Sequence, residues 1–249
     1  MPLTRFLAAQ AVAREAGALM KRRFLDRNSF TLGFKGHQDY ITEVDTEVEN
    51  LVLARLGAAF PGDGFIGEEG GGKPAPSLWV IDPIDGTANF ARGIPHFCIS
   101  IAHVSGNEID IGVIYDPVRE EIWTTQKGGA AKLNGSDIHV SERVDLAECI
   151  VSVGLSKTGV TIEAGVPLLQ DMVHRARKCR LMGSAALDMA YVACGRLDAY
   201  LEQGISLWDV AAGWLLIENA GGFVKMTPRE DMKERYRIIA HNNVIKLKP

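Results

Sequence analysis

The sequence lacks the features that mark secreted, membrane-spanning and nucleic-acid-binding proteins. It has four cysteines in 249 residues, none of them in a CxxC pair, which suits a reduced interior better than a disulfide framework. No apolar run reaches the length of a membrane span, and no block of like charges accompanies the formal net charge of −4. We therefore expect a cytoplasmic protein without a general surface for nucleic acid or membrane.

The composition is that of an ordinary soluble globular chain. Hydrophobic residues make up 47% and charged residues 23%, and the length allows one large domain or two closely packed halves. The N-terminal stretch MPLTRFLAAQAVAREAGALMKRRF places its apolar residues on a broad helical face. That pattern predicts an amphipathic helix and is typical of neither a signal peptide nor a membrane span.

The pattern of elements divides the chain into two halves, residues 1–139 and 140–249. In the first half, FTLGF predicts a short strand, and a helix is predicted over residues 42–60 with Thr42 as its N-cap. The runs SLWVID, FCISIAHV, IDIGVIYDP and EEIWTTQ then predict an antiparallel sheet. In the second half strands alternate with helices, the first helix at about residues 164–177. The sequence thus predicts an α/β protein with an α+β first half and an α/β second half.

The string WVIDPIDGTANF, residues 79–90, ends an apolar run with two aspartates three positions apart. We expect Asp82 to close the strand and Pro83 to fix the backbone as the chain leaves the sheet, so that Asp85 returns toward Asp82. Clustered carboxylates raise each other's pKa unless a cation compensates, and carboxylates with the Ile84 carbonyl are hard oxygen ligands suited to Mg²⁺. The alternative is an Asp-Pro turn followed by an Asx-type cap.

Two further acidic segments are candidates for the same site. Glu68 and Glu69 lie in a glycine-flanked loop, for which a solvated turn is the alternative interpretation. Asp209 lies in the mostly apolar LWDVAAGW, where an N-cap aspartate is the alternative. Thr87, which follows Gly86 at a predicted helix start, offers a hydroxyl and backbone N–H groups to an anion. Jointly these residues predict a divalent-metal centre.

Four motifs together resemble those of the inositol monophosphatase family of Mg²⁺-dependent phosphatases. They are GEE at 67–69, WVIDPIDGTANF at 79–90, GSAALDMAYVACGRLDAYLE at 183–202 and WDVAAG at 208–213. They stand in the expected order and span nearly the whole chain. The resemblance implies a layered αβαβα sandwich of the inositol monophosphatase and fructose-1,6-bisphosphatase type, a homodimer, and two or three Mg²⁺ ions in each site.

The resemblance also implies hydrolysis of a small phosphorylated polyol by metal-activated water in direct in-line attack, without a phosphoenzyme. Inositol 1-phosphate is the expected substrate; histidinol phosphate, fructose 1,6-bisphosphate and 3′-phosphoadenosine nucleotides are alternatives. A protein-binding regulatory module with residual phosphatase activity is the alternative from another class. A module kept only for binding could lose a metal ligand without cost, whereas every expected carboxylate is present here, which favours an enzyme.

The resemblance carries metal-binding roles to five positions. Glu68, Asp82 and the Ile84 carbonyl resemble the ligands of one metal. Asp82, Asp85 and Asp209 resemble the ligands of a second metal. A third, weaker ion is held in such enzymes mainly through water and the position of Glu68.

Further positions resemble the residues that orient the attacking water, bind the phosphate and contact the alcohol part of the substrate. Thr87 and Glu68 resemble the pair that orients the attacking water, and the amides of Gly86 and Thr87 resemble the phosphate contacts. A mobile flap that closes on the site and helps to position water and metal is implied at Asp39, Thr42 and Asp45, with Asp45 as a catalytic residue. Lys35 of the same loop is implied as a contact to phosphate or to an acid of the metal site. A polar loop with an acidic helix start is the alternative. The alcohol pocket is implied at Gly183, Ser184, Ala185 and Glu202, with an exposed strand-end residue as the alternative for Glu202.

Several competing motifs fail on their details. The run GEEGGGK lacks the hydroxyl that a phosphate-binding P-loop requires, because Pro74 follows it. No Asp-x-Asp pattern, GxSxG or HExxH is present, and we interpret His37 and His96 as surface or loop histidines. One departure from the family pattern follows GGFVKM, where MTPREDMKERYR replaces an acidic, glycine-containing turn.

Overall fold

The computed structural model describes residues 4–26, 30–36, 39–70, 75–155 and 158–247, without the side chains of residue 32 and residues 34–41. Within these residues the helices are α1 (Arg5–Leu25), α2 (Glu43–Ala59), α3 (Thr87–Arg92), α4 (Gly159–Arg175), α5 (Ala185–Ala193) and α6 (Leu207–Asn219). The strands of the first half are β1 (Leu32–Gly36), β2 (Asp39–Thr42), β3 (Gly64–Gly67), β4 (Ser77–Asp85), β5 (Cys98–Ser105), β6 (Glu108–Asp116), β7 (Glu121–Gln126), β8 (Lys132–Leu133) and β9 (Ser136–Asp137). Those of the second half are β10 (Ile150–Gly154), β11 (Lys178–Arg180), β12 (Ala199–Ile205), β13 (Phe223–Pro228) and β14 (Tyr236–His241).

The two N-terminal helices form the first layer. Thr4 caps α1 by accepting a hydrogen bond from the Leu7 N–H, and Thr42 caps α2 in a capping box with Asp45. Both helices pack their buried faces on the large sheet, where an apolar cluster includes Val48 of α2 and Ile101 of β5. The predicted first and second helices and the Thr42 cap are therefore confirmed.

The large sheet is the second layer, and it carries the aspartates of the first half. Its strand order is β3-β4-β5-β6-β7-β8-β9, with β3 and β4 parallel and the other neighbours antiparallel. The apolar strand runs of the sequence predict the four central strands, whereas the two-residue strands β8 and β9 are too short to leave a periodic pattern. β1 and β2 form a separate antiparallel hairpin before α2.

Helices α5 and α6 form the third layer and join the two sheets. One apolar cluster includes Ile114 and Trp123 of the large sheet, Leu216 of α6, and Ile238 and Ala240 of β14. The second sheet has the order β11-β10-β12-β14-β13. α4 covers its outer face, where Met172 packs with apolar residues of β10 and β12. The layers therefore follow the order αβαβα, as predicted.

One helix boundary differs from the prediction. α4 begins at Gly159, before the predicted start near residue 164, because Thr158 and Thr161 form a capping box at its N-terminus. No helix in the described part of the chain combines the length and the apolar character that crossing a membrane requires.

Candidate metal centre and active site

Asp82 and Asp85 lie on either side of an irregularity near the end of β4. Asp82 pairs with Ser100 of β5, and Asp85 pairs with Cys98, so β4 holds one extra residue between the two pairs. In a regular strand, residues three apart point to opposite faces, and one extra residue restores them to the same face. The strand continues through Pro83 to Asp85, so the prediction that the chain leaves the sheet after Asp82 is wrong.

Helix α6 brings a third carboxylate to this point from the second half of the chain. Asp209 occupies the third position of α6, and the N–H of the N-cap residue Ser206 donates to Asp209 Oδ2 at 2.8 Å. Asp209 is therefore a capping-box acid rather than an N-cap residue. One carboxylate oxygen from each of Asp82, Asp85 and Asp209 lies within 4.8 Å of the other two.

Burial raises the pKa of each carboxyl in this cluster, and the charges of neighbouring acids add to the effect. Asp82 is 1% exposed, and burial, followed by the charges of Glu68, Asp85 and Asp209, raises its pKa well above the ordinary value. Burial raises the pKa of Asp85 to about 6. Burial and then the charge of Glu68 raise the pKa of Asp209 to about 8. The cluster therefore resists full ionisation unless a cation compensates its charge.

The donor set of the cluster fits a divalent cation. Oδ1 of Asp82 is buried and has no hydrogen-bond partner among the described residues, which is costly for an oxygen that carries charge. Carboxylate oxygens are the ligands that Mg²⁺ and Ca²⁺ take. An ion bound between the three carboxylates would give this oxygen a partner and offset the repulsion. Glu68 lines the same cavity and acts on Asp82 and Asp209 through its charge.

The N-terminus of α5 holds Asp85 in place. The Ser184 hydroxyl donates to Asp85 Oδ2 at 2.6 Å, and the N–H groups of Ala185 and Ala186 donate to its two oxygens at 3.1 and 2.7 Å. Ser184 and Ala185 line the cavity, as the family resemblance implies, but they also orient a cluster carboxylate. Sequence reasoning missed this role, although small residues after a glycine at a helix start are its signal.

Asp45 and Thr87 meet beside the cluster. Thr87 Oγ1 lies 3.1 Å from Asp45 Oδ1 and 2.9 Å from the Ile84 carbonyl oxygen. Thr42 donates its N–H and its hydroxyl to Asp45 Oδ2 at 2.8 and 2.6 Å. Burial nevertheless raises the pKa of Asp45 to about 6. Gly86 has φ of 97°, a left-handed conformation that favours glycine.

A buried glutamate that sequence reasoning missed supports the Glu68 loop. Glu49 of α2 is 4% exposed, and its Oε2 accepts a hydrogen bond from the Glu69 N–H at 2.9 Å. This contact fixes the turn that begins directly after β3 and contains Glu68. Glu49 stands on the buried face of an amphipathic helix, where a carboxylate gives no motif signal.

Glu202 is a buried residue within β12, so the alternative of an exposed strand-end side chain is wrong. It is 6% exposed, and the Tyr200 hydroxyl donates to its Oε2. Burial raises the pKa of Tyr200 well above its ordinary value, so the phenol remains a donor. A Cβ at Gly154 would lie 1.8 Å from Glu202 Oε2. The neighbouring strand therefore needs glycine at this position to leave room for the carboxylate.

One cavity of about 580 Å³ gathers most of the predicted site residues. Those that line it are Glu68, Asp82, Ile84, Asp85, Gly86, Thr87, Gly183, Ser184, Ala185, Glu202 and Asp209. Of the predicted flap, β1 contains Lys35 and β2 begins at Asp39, but these two side chains and His37 lie outside the description.

His96 lies in a loop, which is one of the two predicted settings, but it is not a surface residue. It is 6% exposed in the loop between α3 and β5, and its Nε2 lies 3.7 Å from Asp188 Oδ1. Asp188 is buried and lines the cavity, and the Ser152 hydroxyl donates to its Oδ2 at 2.6 Å. Burial raises the pKa of Asp188. Asp188 is therefore a further acidic residue in the cavity wall, and no sequence motif indicated it.

Comparison with known proteins identifies the family. The model of the inositol monophosphatase family matches residues 3–247. An inositol-1-monophosphatase from Mesorhizobium japonicum is 39% identical over 94% of this chain and 90% of its own length. A Nus factor SuhB from Xylella fastidiosa is 41% identical over 92% of this chain and 87% of its own. The crystal structure of extragenic suppressor protein suhB from Bartonella henselae superimposes with a TM-score of 0.87 at 33% identity, covering 95% of this chain and 93% of that one. The chain belongs to the inositol monophosphatase family.

Proposed function

We propose that the protein is a Mg²⁺-dependent phosphomonoesterase that hydrolyses a small phosphorylated polyol, with inositol 1-phosphate as the preferred candidate. The observation that carries the proposal is the cluster of Asp82, Asp85 and Asp209, in which one carboxylate oxygen of each residue lies within 4.8 Å of the other two. Asp82 Oδ1 also lacks a hydrogen-bond partner among the described residues. Membership of the inositol monophosphatase family supports the reaction class.

The proposed metal ligands combine this cluster with the positions that the family resemblance implies. Glu68, Asp82 and the Ile84 carbonyl are the proposed ligands of one ion, and Asp82, Asp85 and Asp209 those of a second. A third ion would be held mainly through water near Glu68. Bound Mg²⁺ ions in such a centre lower the pKa of water and neutralise charge on phosphate and on the departing oxygen.

The protein's own groups position water and phosphate. Asp45 and the Ile84 carbonyl orient the Thr87 hydroxyl, and Thr87 and Glu68 line the same cavity. We propose that Thr87 and Glu68 orient the attacking water and that the amides of Gly86 and Thr87 donate to phosphate oxygens. The water oxygen forms a bond to phosphorus and the ester P–O bond breaks. A proton released by the water is taken up by the departing oxygen, which gives inorganic phosphate and the alcohol.

We propose that the alcohol part of the substrate lies against Glu202 and the start of α5, which form one wall of the cavity. Glu202 accepts a hydrogen bond from Tyr200, and a carboxylate can accept several hydrogen bonds at once, including those of substrate hydroxyls. A polyol supplies several hydroxyls to such a carboxylate, which is the reason to prefer inositol 1-phosphate over a phosphorylated alcohol with its own amine.

The test is phosphate release, with and without Mg²⁺, from inositol 1-phosphate, histidinol phosphate, fructose 1,6-bisphosphate and 3′-phosphoadenosine 5′-phosphate. We expect Mg²⁺-dependent release with the highest kcat/KM for inositol 1-phosphate. A preference for another substrate would keep the chemistry and overturn the role of Glu202. Absence of release from all four would contradict the proposed function and favour a binding role, for which the Nus factor names of relatives give a reason.

The proposal also covers the domain organisation, the cellular compartment and the oligomeric state of the protein. The boundary between residues 139 and 140 falls between the strands of the two sheets, and we propose two halves that share one core through α5 and α6. All four cysteines are free thiols, in keeping with the proposed reducing cytoplasm. A homodimer is proposed from the family resemblance and is testable by sedimentation.

A further inference from the structure

The turn between β13 and β14 places an arginine in the wall of the cavity that contains the acidic cluster. Met232 and Arg235 of this turn line the cavity. Arg235 is the sole basic side chain among the described lining residues. The turn belongs to the segment MTPREDMKERYR, in which the sequence departs from the family pattern. No motif of the sequence therefore assigns a role to Arg235.

Hydrogen bonds fix this turn to the rest of the second sheet. The Arg229 N–H donates to the Arg235 carbonyl at 2.9 Å, which closes the turn. Arg229 itself is buried, and its guanidinium donates to Asp231 Oδ1 at 2.9 Å and to the Gln203 carbonyl of β12. The backbone of Arg235 is therefore held in place relative to β12, the strand that leads into α6.

Arg235 differs in its partner from the other arginines that are buried or half-buried in the described chain. Each of those arginines pairs with a carboxylate, as Arg5–Asp63, Arg23–Glu47, Arg175–Asp171 and Arg229–Asp231. Arg235 forms no ion pair with a described residue, and its Nη1 donates to the Ser206 hydroxyl. Its contact is thus with the residue that directly precedes α6.

Ser206 connects Arg235 to one carboxylate of the acidic cluster. It is the N-cap residue of α6 and is 1% exposed, so water has little access to its polar groups. Its hydroxyl accepts the hydrogen bond from Arg235, and its N–H donates to Asp209 Oδ2 at 2.8 Å. Two successive hydrogen bonds therefore lead from the guanidinium to Asp209. The direction of the Asp209 carboxylate depends on where Ser206 is held.

We propose that Arg235 is a positioning residue of the metal centre, which acts through Ser206 on the orientation of Asp209 and so raises the affinity for Mg²⁺. This inference rests on the proposed metal-dependent function. Groups that hydrogen-bond behind a metal ligand fix its orientation and contribute to metal affinity. A planar guanidinium on an anchored turn suits this task, because its N–H groups point in fixed directions. Since Arg235 forms no ion pair with a described carboxylate, its effect passes through the Ser206 hydroxyl.

Calorimetric titration of the metal-free protein with Mg²⁺ tests this connection. The variants are Arg235→Gln, Arg235→Lys, Ser206→Ala and the double variant of Arg235→Gln with Ser206→Ala. The control is Arg237→Gln, which alters an exposed arginine on β14 and should bind Mg²⁺ as the wild type does. We expect Arg235→Gln to raise the Mg²⁺ dissociation constant roughly tenfold. Arg235→Lys should raise it less, because an ammonium group can still donate to the hydroxyl. The double variant should bind Mg²⁺ no more weakly than Ser206→Ala, since both side chains act through one hydrogen bond.

Phosphate release from inositol 1-phosphate separates metal binding from the chemical step. In Arg235→Gln the Mg²⁺ concentration that gives half the maximal rate should rise roughly tenfold, while kcat at saturating Mg²⁺ stays near the wild-type value. Unchanged or tighter Mg²⁺ binding in Arg235→Gln would overturn the inference, as would losses that add in the double variant. A lower melting temperature in EDTA with unchanged Mg²⁺ affinity would show a structural role alone, and it would overturn the inference as well.

Failure of the proposed function would be a separate result. If the wild type released no phosphate, the calorimetric comparison would still test Arg235. If the wild type also bound no Mg²⁺, hydrogen exchange of the Ser206 amide in the metal-free protein would decide, because this N–H donates to Asp209. Its exchange should be about tenfold faster in Arg235→Gln, with the amide of Ala240, buried in β14, as an unchanged reference. Equal exchange of Ser206 in the two proteins would overturn the inference.

Discussion

The hydroxyl oxygen of Thr87 lies 3.1 Å from Asp45 Oδ1 and 2.9 Å from the Ile84 carbonyl oxygen. Both partners are acceptors when Asp45 is ionised, and the hydroxyl has one hydrogen, so it donates to one of them at a time. Its lone pairs remain available to accept a hydrogen bond from water. This contact joins the first turn of α3 to the first turn of α2 through two residues that are 42 positions apart.

Thr87→Ala tests whether this hydroxyl orients the attacking water. We expect kcat to fall by about 100-fold, with a smaller change in KM, since the alcohol wall is left intact. Thr87→Ser keeps the hydroxyl and is the matched control, which should retain most of the activity. Steady-state phosphate release measures both, and a fully active Thr87→Ala would remove Thr87 from the mechanism.

Ser184→Ala tests the support of Asp85 by the start of α5. The substitution removes the hydroxyl that donates to Asp85 Oδ2 at 2.6 Å, so the carboxylate loses part of its orientation. We expect Mg²⁺ affinity to fall roughly 10-fold to 100-fold, measured by calorimetric titration. Ser136→Ala, at an exposed position on β9, is the control. Unchanged Mg²⁺ affinity in Ser184→Ala would separate Ser184 from the metal centre.

The raised pKa values predict how stability of the metal-free protein depends on pH. Folding raises the pKa of Asp209 to about 8 and that of Asp85 to about 6, whereas an unfolded aspartate titrates near 4. Between these values the folded state binds protons that the unfolded state has released. The free energy of unfolding should therefore fall as pH rises from about 4 to about 8, by at most about 1.4 kcal/mol per pH unit for each group.

Urea unfolding in the presence of EDTA at pH 5 and pH 8 checks this dependence. Asp209→Asn should reduce the change in the free energy of unfolding between pH 5 and pH 8. Because groups outside the cluster titrate alike in the variant and the wild type, the difference between the two proteins reports on the cluster. Saturating Mg²⁺ should also reduce this change, because bound cations favour the ionised carboxylates. The same pH dependence in the variant and the wild type would contradict the assigned pKa of Asp209.

Gly154→Ala tests the space that β10 leaves for Glu202. The added Cβ would lie 1.8 Å from Glu202 Oε2, so the carboxylate must move. We expect a loss of about 1–3 kcal/mol of stability and a rise of about tenfold in KM for a polyol phosphate. Gly159→Ala, whose Cβ would meet no atom within 4 Å, is the control. A Gly154→Ala enzyme with wild-type KM would leave Glu202 without a role in substrate binding.

The sequence predicts the layers of the fold and the elements that carry the acidic cluster. Periodic apolar runs specify α1, α2 and the central strands of the large sheet, because one face of each is buried in an extended core. The string around Asp82 and Asp85 indicates a cation site because two carboxylates in an apolar context need compensation. The motif around Asp209 supplies the third carboxylate, and α6 brings it to the others.

Other features depend on contacts between distant segments and leave no local pattern. The extra residue between Asp82 and Asp85 becomes visible only in the pairing with β5. The contact of Glu49 with the Glu69 N–H joins a helix to a loop 20 residues away. Arg235 belongs to a turn that the sequence marks as atypical, and its place in the cavity follows from the anchoring of that turn to β12.

The most direct test of the central claim is the response of Asp82→Asn to Mg²⁺. In the wild type, Mg²⁺ should raise the melting temperature and activate phosphate release from inositol 1-phosphate. Asp82→Asn should lose the thermal shift and at least about 100-fold in rate, while Asp171→Asn, in an exposed part of α4, should behave as the wild type. An Asp82→Asn protein with wild-type rate and thermal shift would contradict the assignment of this cluster as the catalytic metal centre.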